Sequence, residues 1–390
     1  IGLSYATEVS NDTTNTMDTS IADINKEVVT SSNTPIKEAE NTITDENTEK
    51  EITKQYNETV KTESSKTYTT NDFDTLHNAL TSSIYSTITI NINSDITLTG
   101  DTEINSAIKT LTINGNGNTV NGNNQYRFLY IDSGSKVTIN NIKITKCYKG
   151  VNGGAIYNNG TLTITNTTLN NNKAYMGGAI YNYEGTLTIT NSTLNNNNAT
   201  SCGGAIHNEM DVTLTITNTN LNNNNAWWGG AICNPYGNCR ITNSNLNNNN
   251  AYDGGAIDNS GNCTITNSNL NNNKLENFGT IYNRGNLTIN NSALNNNYKG
   301  AIFNFGNCSI TNSNLNNNSL VTIDNYGNCT ITNSNLNNNN ETGHGIAIRN
   351  EFGTVTITNI TLNNHTSFTS GGAIYNNEGN VIITNSTLSN

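Results

Sequence analysis

The sequence predicts an all-β fold, a right-handed parallel β-helix solenoid with about 24 residues and three short strands in each coil. Three observations predict it. A repeat recurs at intervals of 21 to 26 residues, apolar and polar residues alternate within it, and asparagine follows the apolar positions at fixed places. A fixed period in this range is typical of solenoids, in which each unit buries its apolar face by stacking on its neighbours.

Three apolar columns define the ten regular repeats: the first runs from Ile156 to Ile374, the second from Ile164 to Ile383, and the third from Leu169 to Leu388. Around the second column the segment LTIT alternates with period two and is rich in β-branched residues, which favours strands. The other repeat residues are mainly Gly, Asn and Thr, which are poor helix formers. This excludes leucine-rich repeats, because their coils return through helical segments.

Asparagine occupies all thirty places that lie two residues after an apolar column residue. Those of the first two repeats are Asn158, Asn166, Asn171, Asn182, Asn191 and Asn196. Because strand side chains alternate with period two, all three columns are expected to point inward at the corners of the coil. Stacked amides can hydrogen-bond from coil to coil, so we expect asparagine ladders of structural role.

The chain divides into segments of different composition. Residues 1–6 are interpreted as the remnant of a signal peptide, and the Thr/Asn/Glu-rich residues 7–70 as a disordered arm. Residues 71–87 are predicted to form an N-terminal helical cap, with Asn71 or Asp72 as N-cap and Phe73, Leu76 and Leu80 on one face. The β-helix is predicted over 88–390, with irregular coils at 88–150, regular repeats at 151–390 and a C-terminal end truncated within a coil.

Composition argues against several classes of partner. The net charge is −11, and 7 of those negative charges fall in residues 1–70, which contain 13 acidic and 6 basic side chains. Without a basic patch we expect no nucleic-acid partner. The apolar runs are too short to span a membrane, so a membrane or cell-wall anchor is not visible in this chain. We expect no cofactor and no metal site, because no C-x-x-C motif or histidine cluster is present.

The repeats resemble those of the polymorphic outer-membrane proteins of chlamydiae, whose repeats carry GGA-[ILV] and F-x-x-N. They are closer still to the adhesin-like surface proteins of methanogenic archaea, and the fold is similar to that of the pectate-lyase-like superfamily. GGAI begins at Gly153, Gly177, Gly203, Gly229, Gly254 and Gly371, and L-x-x-N stands in place of F-x-x-N. The resemblance covers about residues 88–390. It implies export to the cell surface and a role in adhesion, and it transfers no catalytic residue.

Aromatic residues are the candidate binding residues. The position after GGAI varies while its neighbours do not, so we expect it to face outward, and several of its residues are aromatic. The bend before it adds further aromatic residues. The candidates are Trp227, Trp228, Tyr157, Tyr181, Tyr252, Tyr282, Phe303 and Tyr375. Their rings could stack on sugars or bury a partner's side chain, or they could simply stabilise the sheet through cross-strand packing. Trp227 and Trp228 are the strongest candidates for binding.

Acidic residues offer little for catalysis. Asp258 and Asp324 lie three coils apart, about 14 Å by strand spacing, so they cannot act as a pair. Asp324 and Arg349 lie on neighbouring coils and are expected to form a surface ion pair. Glu209 and Asp211 form the only close acidic pair of the regular repeats, interpreted as a surface loop or a weak Ca²⁺ site. We therefore expect no enzymatic activity and no catalytic residues.

Four of the seven cysteines, Cys239, Cys263, Cys308 and Cys329, replace leucine of the LTIT segment and are expected to be buried free thiols. The alternative is a disulfide between neighbouring coils, which place Cys239 near Cys263 and Cys308 near Cys329. Two functional hypotheses follow from the sequence. The first is a non-catalytic, extracellular, adhesin-like stalk that attaches to carbohydrate or to a host or microbial surface. The alternative is a polysaccharide lyase, a glycoside hydrolase or a lectin-like binder on the same scaffold.

Overall fold

A computed structural model of the chain describes residues 64–209, 211–339, 346–365 and 371–389. The predicted signal-peptide remnant at 1–6, the arm from 7 to 63 and the predicted truncation at Asn390 lie outside these residues. The described residues form a parallel β-helix, as predicted, in which every strand pairing is parallel. None of the helices in the described part is long and apolar enough to cross a membrane.

The first sheet runs the length of the β-helix, and its strands begin 21 to 27 residues apart. Its fourteen strands are Ser65–Thr70, Thr87–Ile92, Thr110–Asn114, Lys136–Asn140, Thr161–Thr165, Thr186–Thr190, Thr213–Thr217, Asn238–Thr242, Asn262–Thr266, Asn286–Asn290, Asn307–Thr311, Asn328–Thr332, Thr354–Thr358 and Asn380–Thr384. The eleven short strands of the second sheet are Leu129–Ile131, Ile156–Asn158, Ile180–Asn182, Ile206–Asn208, Ile232–Asn234, Ile257–Asn259, Ile281–Asn283, Ile302–Asn304, Ile323–Asn325, Ile348–Glu351 and Ile374–Asn377.

The third sheet follows the first along each coil, and single-residue bridges continue it where no strand forms. Its strands are Ile96–Thr97, Thr119–Asn121, Lys143–Thr145, Thr168–Asn170, Thr193–Asn195, Thr361–Asn363 and Thr387–Ser389. A fourth set of strands was not predicted. It comprises Tyr148–Asn152, Lys173–Met176, Asn198–Cys202, Asn250–Asp253 and Lys274–Phe278. The prediction of three strands per coil is therefore wrong for the longer coils, whose extra residues before GGAI form another strand.

The N-terminal end of the β-helix is covered by the helix Phe73–Leu80, as predicted. Asp72 is its N-cap, and its carboxylate accepts a hydrogen bond of 2.8 Å from the Thr75 amide. Leu76 and Leu80 are fully buried in the same core as the first coils.

The C-terminal boundary of the predicted disordered arm, residue 70, lies too far along the chain. Residues Ser65–Thr70 pair in parallel with Thr87–Ile92 as the outermost strand of the first sheet.

The predicted apolar columns form the core. From the first described coils to Leu362, the isoleucines and leucines of the three columns are almost completely buried. Each contributes about 1.5–3 kcal/mol on full burial. The cysteines Cys239, Cys263, Cys308 and Cys329 lie inward as buried free thiols, which confirms their prediction. Neighbouring thiols and burial raise the pKa of Cys239 and of Cys308, so these side chains remain neutral.

The first asparagine ladder is confirmed. Asn158, Asn182 and their successors up to Asn350 are fully buried, and the Nδ2 of Asn158 donates to the Oδ1 of Asn182 at 2.7 Å. The bond repeats on every coil up to Asn350, which donates to Asn376. The second proton of Asn182 is donated to the carbonyl oxygen of Gly185 at 3.0 Å. Both protons of the Asn182 amide are therefore donated to groups within the protein.

The inward orientation predicted for the other two asparagine columns is wrong. Asn166, Asn171, Asn191 and Asn196 are exposed, with φ between +49° and +56°. A residue in the left-handed region interrupts the alternation of a strand, so the next residue points inward instead. Those next residues build two ladders that were not predicted. Thr167 and Ser192 begin a hydroxyl ladder, and Asn172 and Asn197 begin a second amide ladder.

The two glycines of GGAI have different tasks. Gly229 has φ +60°, which costs little for glycine and more for other residues. Gly230 lies where coils touch, and a Cβ there would stand 2.2 Å from the carbonyl oxygen of Gly255. This corner therefore needs one glycine for its conformation and another for the close approach of neighbouring coils.

Replacing Asn249 with alanine should lower stability far more than replacing its neighbour Asn248 with glycine. Asn249 accepts from the amide of Asn224 at 2.9 Å and donates to the carbonyl of Leu221 at 2.9 Å. Each buried group left unsatisfied costs about 1–3 kcal/mol. Asn248 is exposed with φ +57°, which glycine adopts freely, so Asn248→Gly should change stability by less than about 0.5 kcal/mol. Urea unfolding followed by circular dichroism measures both, and equal losses would contradict the assignment of the ladder.

A second prediction concerns His365, which replaces asparagine in the second amide ladder. Its Nε2 lies 2.6 Å from the Leu336 carbonyl oxygen, and burial lowers its pKa below 6.5. The unfolded chain therefore binds more protons in this range, and stability should fall as pH decreases below 6.5. His365→Asn should remove this part of the pH dependence in urea unfolding at pH 7 and 5.5. If the stability of His365→Asn depended on pH as that of the unmodified chain does, His365 would not be the source of this pH dependence.

Candidate functional site

The side chains that follow the first-column isoleucine form a column on the outer surface of the second sheet, which we call the outer column. Strand register places each one directly against its counterpart on the next coil. The outer column comprises Tyr130, Tyr157, Tyr181, His207, Cys233, Asp258, Tyr282, Phe303, Asp324, Arg349 and Tyr375. Uniform strands thus carry a sequence of different chemical groups along one line.

The outer column points away from the core, but much of it is covered. Tyr181 is only 5% exposed and Phe303 only 4%. The column faces outward as predicted, but Tyr181 and Phe303 are not accessible to a ligand. Side chains from the bends on both sides of the second sheet fold over the column. The preceding bend supplies one rim, formed by Asn152, Met176, Cys202, Trp228, Asp253 and Phe278, which align from coil to coil. The following bend supplies the other, with Tyr183, Glu209, Arg284, Phe305 and Tyr326.

Four rings of the outer column stack in a continuous run. The ring centroids of Tyr130 and Tyr157 are 4.7 Å apart, those of Tyr157 and Tyr181 are 5.3 Å apart, and the planes are nearly parallel. His207 continues the run at 5.0 Å from Tyr181. Burial raises the pKa of Tyr157 to about 12. Tyr157 and Tyr181, two of the predicted binding residues, therefore serve packing between coils.

A second aromatic cluster surrounds Phe303. Its ring lies 4.2 Å from that of Phe278 and 5.6 Å from that of Tyr282. Phe305 and Tyr326 of the following bend cover its other side, at 5.1 Å and 5.4 Å. Tyr282 is partly buried and carries the guanidinium of Arg284 over its ring at 4.9 Å. The predicted residues Tyr282 and Phe303 thus belong to one packed cluster.

Trp227 and Trp228 are the predicted binding residues that remain open to solvent, with 50% and 40% of their surface exposed. The ring of Trp227 stacks on that of Tyr252 at 4.7 Å with an interplanar angle of 10°. Trp228 stands edge-on to Trp227 at 6.3 Å. Trp228 also pairs in parallel with Asp253 of the next coil. These contacts hold the two indoles in place, and we call Trp227, Trp228 and Tyr252 the aromatic platform.

A pocket of about 280 Å³ opens farther along the same face. Phe278 and Phe303 give it apolar walls, and the Asp324–Arg349 pair gives it charge. Lys299 and Leu320 also line it, at φ +61° and +60°. Regular repeats have glycine at these two places. A lysine and a leucine in the left-handed region are strained, and such strain concentrates at functional sites.

Two ion pairs bridge neighbouring coils on this face. The guanidinium of Arg349 contacts both carboxylate oxygens of Asp324, with Nε 2.9 Å from Oδ1. This confirms the predicted pair, although Asp324 is buried rather than superficial. The second pair was not predicted: Arg284 donates to both oxygens of Asp258 at 2.8 and 3.1 Å. Burial raises the pKa of Asp258 even though Arg284 opposes the shift.

A compact polar cluster joins Tyr181, His207 and Glu209. One oxygen of Glu209 lies 2.6 Å from the Nε2 of His207 and accepts from the Tyr181 hydroxyl at 2.8 Å. The hydrogen bond from His207 lowers the pKa of Glu209, followed by the one from Tyr181, although burial opposes both. Glu209 is thus drawn into this cluster rather than standing with Asp211 in an open loop.

Beside this cluster, Cys202 and Cys233 form a disulfide. Their sulfurs and a ring nitrogen of His207 all lie within 4.8 Å of one another, and all three residues are buried. Sequence reasoning missed both the disulfide and this grouping, because Cys202 and Cys233 are separated by 31 positions in the sequence. The register of the GGAI strands was the available signal, since it aligns His207 with Cys233.

The face therefore brings together some of the predicted residues and separates others. Trp227, Trp228 and Tyr252 form one site, whereas Tyr375 lies on the last coil beside Arg349. Lys299, Leu320, Arg284 and the disulfide were not anticipated. Compared with known proteins, the chain matches no family model and no curated protein sequence.

Arg284→Met should destabilise the chain more at pH 7 than at pH 4. Because burial raises the pKa of Asp258 above 3.8, ionisation of this carboxyl reduces stability as pH rises above that value. Arg284 limits that loss, and removing it at pH 7 should cost about 1–3 kcal/mol. Urea unfolding at both pH values provides the comparison. Asp258→Asn combined with Arg284→Met should lack the pH-dependent difference, and an equal loss in the single variant at both pH values would refute the coupling.

Proposed function

We propose that this chain is a non-catalytic adhesin-like protein, a stiff β-helical stalk that binds carbohydrate through the aromatic platform. The single observation that carries the proposal is the pair of half-exposed indoles, Trp227 and Trp228, held in fixed orientations. Exposed apolar side chains that lie together in one patch, as these two do, mark interaction sites more often than singly scattered ones. The chain contains only these two tryptophans, and both stand on this platform.

Carbohydrate is the ligand that this chemistry favours. Indole and phenol rings offer flat apolar surfaces to the C–H faces of sugar rings, and nearby polar groups can bind the hydroxyls. Asp253 supplies such a group, because it borders Trp228 and follows Tyr252 directly. Burial raises the pKa of Asp253. The ladders beneath fix the backbone, so binding would require little reordering of the site.

The disulfide supports the proposed location outside the cytoplasm. Disulfides persist in oxidising compartments and are rare in reducing cytosol. Cys202–Cys233 is buried on the same face as the platform and joins the preceding bend of one coil to the outer column of the next. Such a cross-link is therefore consistent with the proposal that the protein is exported to the cell surface.

The pocket at Phe303 supports the alternative of a polysaccharide-active enzyme or lectin-like binder. It combines apolar walls with Lys299 and the Asp324–Arg349 pair, a combination suited to an acidic sugar. Hydrolysis of a glycosidic bond commonly needs two carboxyl groups about 5–9.5 Å apart. Asp324 is the one carboxyl among the residues that line the pocket. Binding of a saccharide is thus better supported than its cleavage.

The platform is tested by replacing both indoles. We expect Trp227→Ala with Trp228→Ala to abolish glycan binding, with at least a tenfold loss of affinity, since each deleted ring removes most of its stacking contact. A glycan array identifies ligands, and calorimetry measures the affinity. Tyr148→Ala is the matched control, because Tyr148 is also exposed and lies in the fourth set of strands, to which Tyr252 of the platform belongs. Undiminished binding by the double variant would disprove the role of the platform.

The enzymatic alternative is distinguished in the same preparation. Oligosaccharides that bind are incubated with the chain, with and without Ca²⁺, and the products are followed for new reducing ends or unsaturated sugars. We expect binding without turnover. Turnover that disappears in Asp324→Asn would replace the proposal with an enzyme that uses the pocket.

A further inference from the structure

We propose that Cys202, His207 and Cys233 form a binding site for a thiophilic divalent cation such as Zn²⁺ when their disulfide is reduced. This site is independent of the proposed carbohydrate binding and does not rest on it. The three side chains come from neighbouring coils on the face of the second sheet, and all are less than a tenth exposed. Their candidate ligand atoms lie within 4.8 Å of one another, which is close enough for one ion to contact all three.

The hydrogen bonds of His207 leave one ring nitrogen for such an ion. Its Nε2 lies 2.6 Å from Glu209, whose oxygen also accepts from Tyr181, so Nε2 carries the proton. The Nδ1 of His207 is buried and has no hydrogen-bond partner among the described residues. An unpartnered buried acceptor is costly to a folded protein. A metal ion would supply the missing partner.

Glu209 has the position of an outer ligand-orienting group. In metal sites, a coordinating histidine commonly donates its other N–H to a carboxylate, which fixes the ring and strengthens its donor nitrogen. Here the Tyr181 hydroxyl fixes that carboxylate in turn. The ring of Tyr181 also stacks on His207 at 5.0 Å, which restricts rotation of the imidazole. The orientation of His207 is thus set before any ion arrives.

The donor set selects the kind of ion. Two thiolates and one imidazole are ligands of Zn²⁺ and of softer ions, whereas Mg²⁺ and Ca²⁺ require oxygen ligands. Three protein ligands leave a fourth tetrahedral position for water. The four core cysteines also lie in pairs on neighbouring coils, but they stand in the apolar core, and the described residues of that core include no histidine.

The disulfide and the metal site use the same sulfurs and exclude each other. An external dithiol reduces the disulfide by thiol–disulfide exchange, giving two Cys–SH groups and one oxidised dithiol. Binding of Zn²⁺ then forms two Zn–S bonds and releases the two thiol protons. Oxidation of the thiols would expel the ion. The face can therefore be cross-linked in two ways, by a covalent bond or by a coordinated ion.

Cobalt titration of the full chain tests the proposal. The chain is reduced with a dithiol, the reductant is removed under nitrogen, and Co²⁺ is added. We expect one Co²⁺ per chain with a sulfur-to-cobalt charge-transfer band. Tryptophan fluorescence should fall at the same time, because Trp228 pairs directly with Cys202 and the chain has no tryptophan elsewhere than 227 and 228. Zn²⁺ should displace the cobalt and bleach the band.

Matched variants assign the ligands. Cys202→Ser, Cys233→Ser and His207→Phe should each weaken Co²⁺ binding at least tenfold, and phenylalanine is accommodated in the same column at Phe303. Cys239→Leu with Cys263→Leu removes two core thiols where other coils carry leucine, and it should bind Co²⁺ normally. The assignment would be overturned if His207→Phe bound Co²⁺ fully or if the core variant lost binding. It would also be overturned if the unreduced chain bound Co²⁺ equally well.

Loss of the disulfide could itself affect folding, so circular dichroism is recorded throughout. Cys202→Ala with Cys233→Ala should remain folded and bind no Co²⁺, because the ladders stabilise these coils independently. If reduction unfolds the chain, Zn²⁺ should restore the β-sheet signal of the reduced wild type but not that of His207→Phe. Failure of Zn²⁺ to restore it, or absence of cobalt binding by a folded reduced chain, would overturn the proposal.

Discussion

The hydrogen bond from a buried amide on one coil to the amide on the next is the constraint on which this structure depends. A chain with 33% hydrophobic residues has too little apolar surface to fill a broad core, so polar side chains must enter it. Each such group is costly unless it has a partner. Identical groups stacked at strand spacing supply partners for one another, as Asn182 shows between Asn158 and Asn208.

That constraint explains why the interior is uniform and the exterior is varied. A ladder tolerates change poorly, because a substitution leaves the groups on two adjacent coils unsatisfied. The side chains of the outer column do not belong to a ladder. Tyrosine, histidine, cysteine, aspartate and arginine replace one another there. The rims then decide which of these groups remain accessible. Chemically varied side chains are therefore concentrated on the outer face of the second sheet and the bends beside it.

Much of the fold could be predicted from the sequence, because the repeat makes its columns visible. The core isoleucines, the first ladder at Asn158, the cap at Asp72 and the buried thiols all follow from periodicity and residue type. The orientation of Asn166 and Asn171 could not be predicted by alternation alone. Their left-handed backbone shifts the pattern by one residue, so Thr167 and Asn172 lie inside instead. Strand alternation fails wherever the chain turns a corner.

The candidate site was less predictable than the fold. Aromatic residues before GGAI indicated the platform, and both indoles are open to solvent. Burial of Tyr181 and Phe303 depends on rim side chains, whose directions a repeat alignment does not contain. The disulfide, the Asp258–Arg284 pair and the His207 cluster each join neighbouring coils. Such contacts can be predicted only when the strand register and the positions of the bends are known. The left-handed backbone of Lys299 and Leu320 likewise depends on the conformation of the bends.

If buried amides are partnered from coil to coil, their protons must be protected from solvent, and hydrogen exchange of the asparagine side chains measures that protection. The chain is labelled with ¹⁵N at asparagine only, and side-chain amide signals are recorded by NMR after transfer to D₂O. We expect slow exchange for the seventeen asparagines that are buried among the described residues, including Asn234 and Asn249. We expect rapid loss of signal from exposed corners such as Asn166 and Asn171. Exchange of all side-chain amides within the dead time would show that the buried amides are not held in ladders.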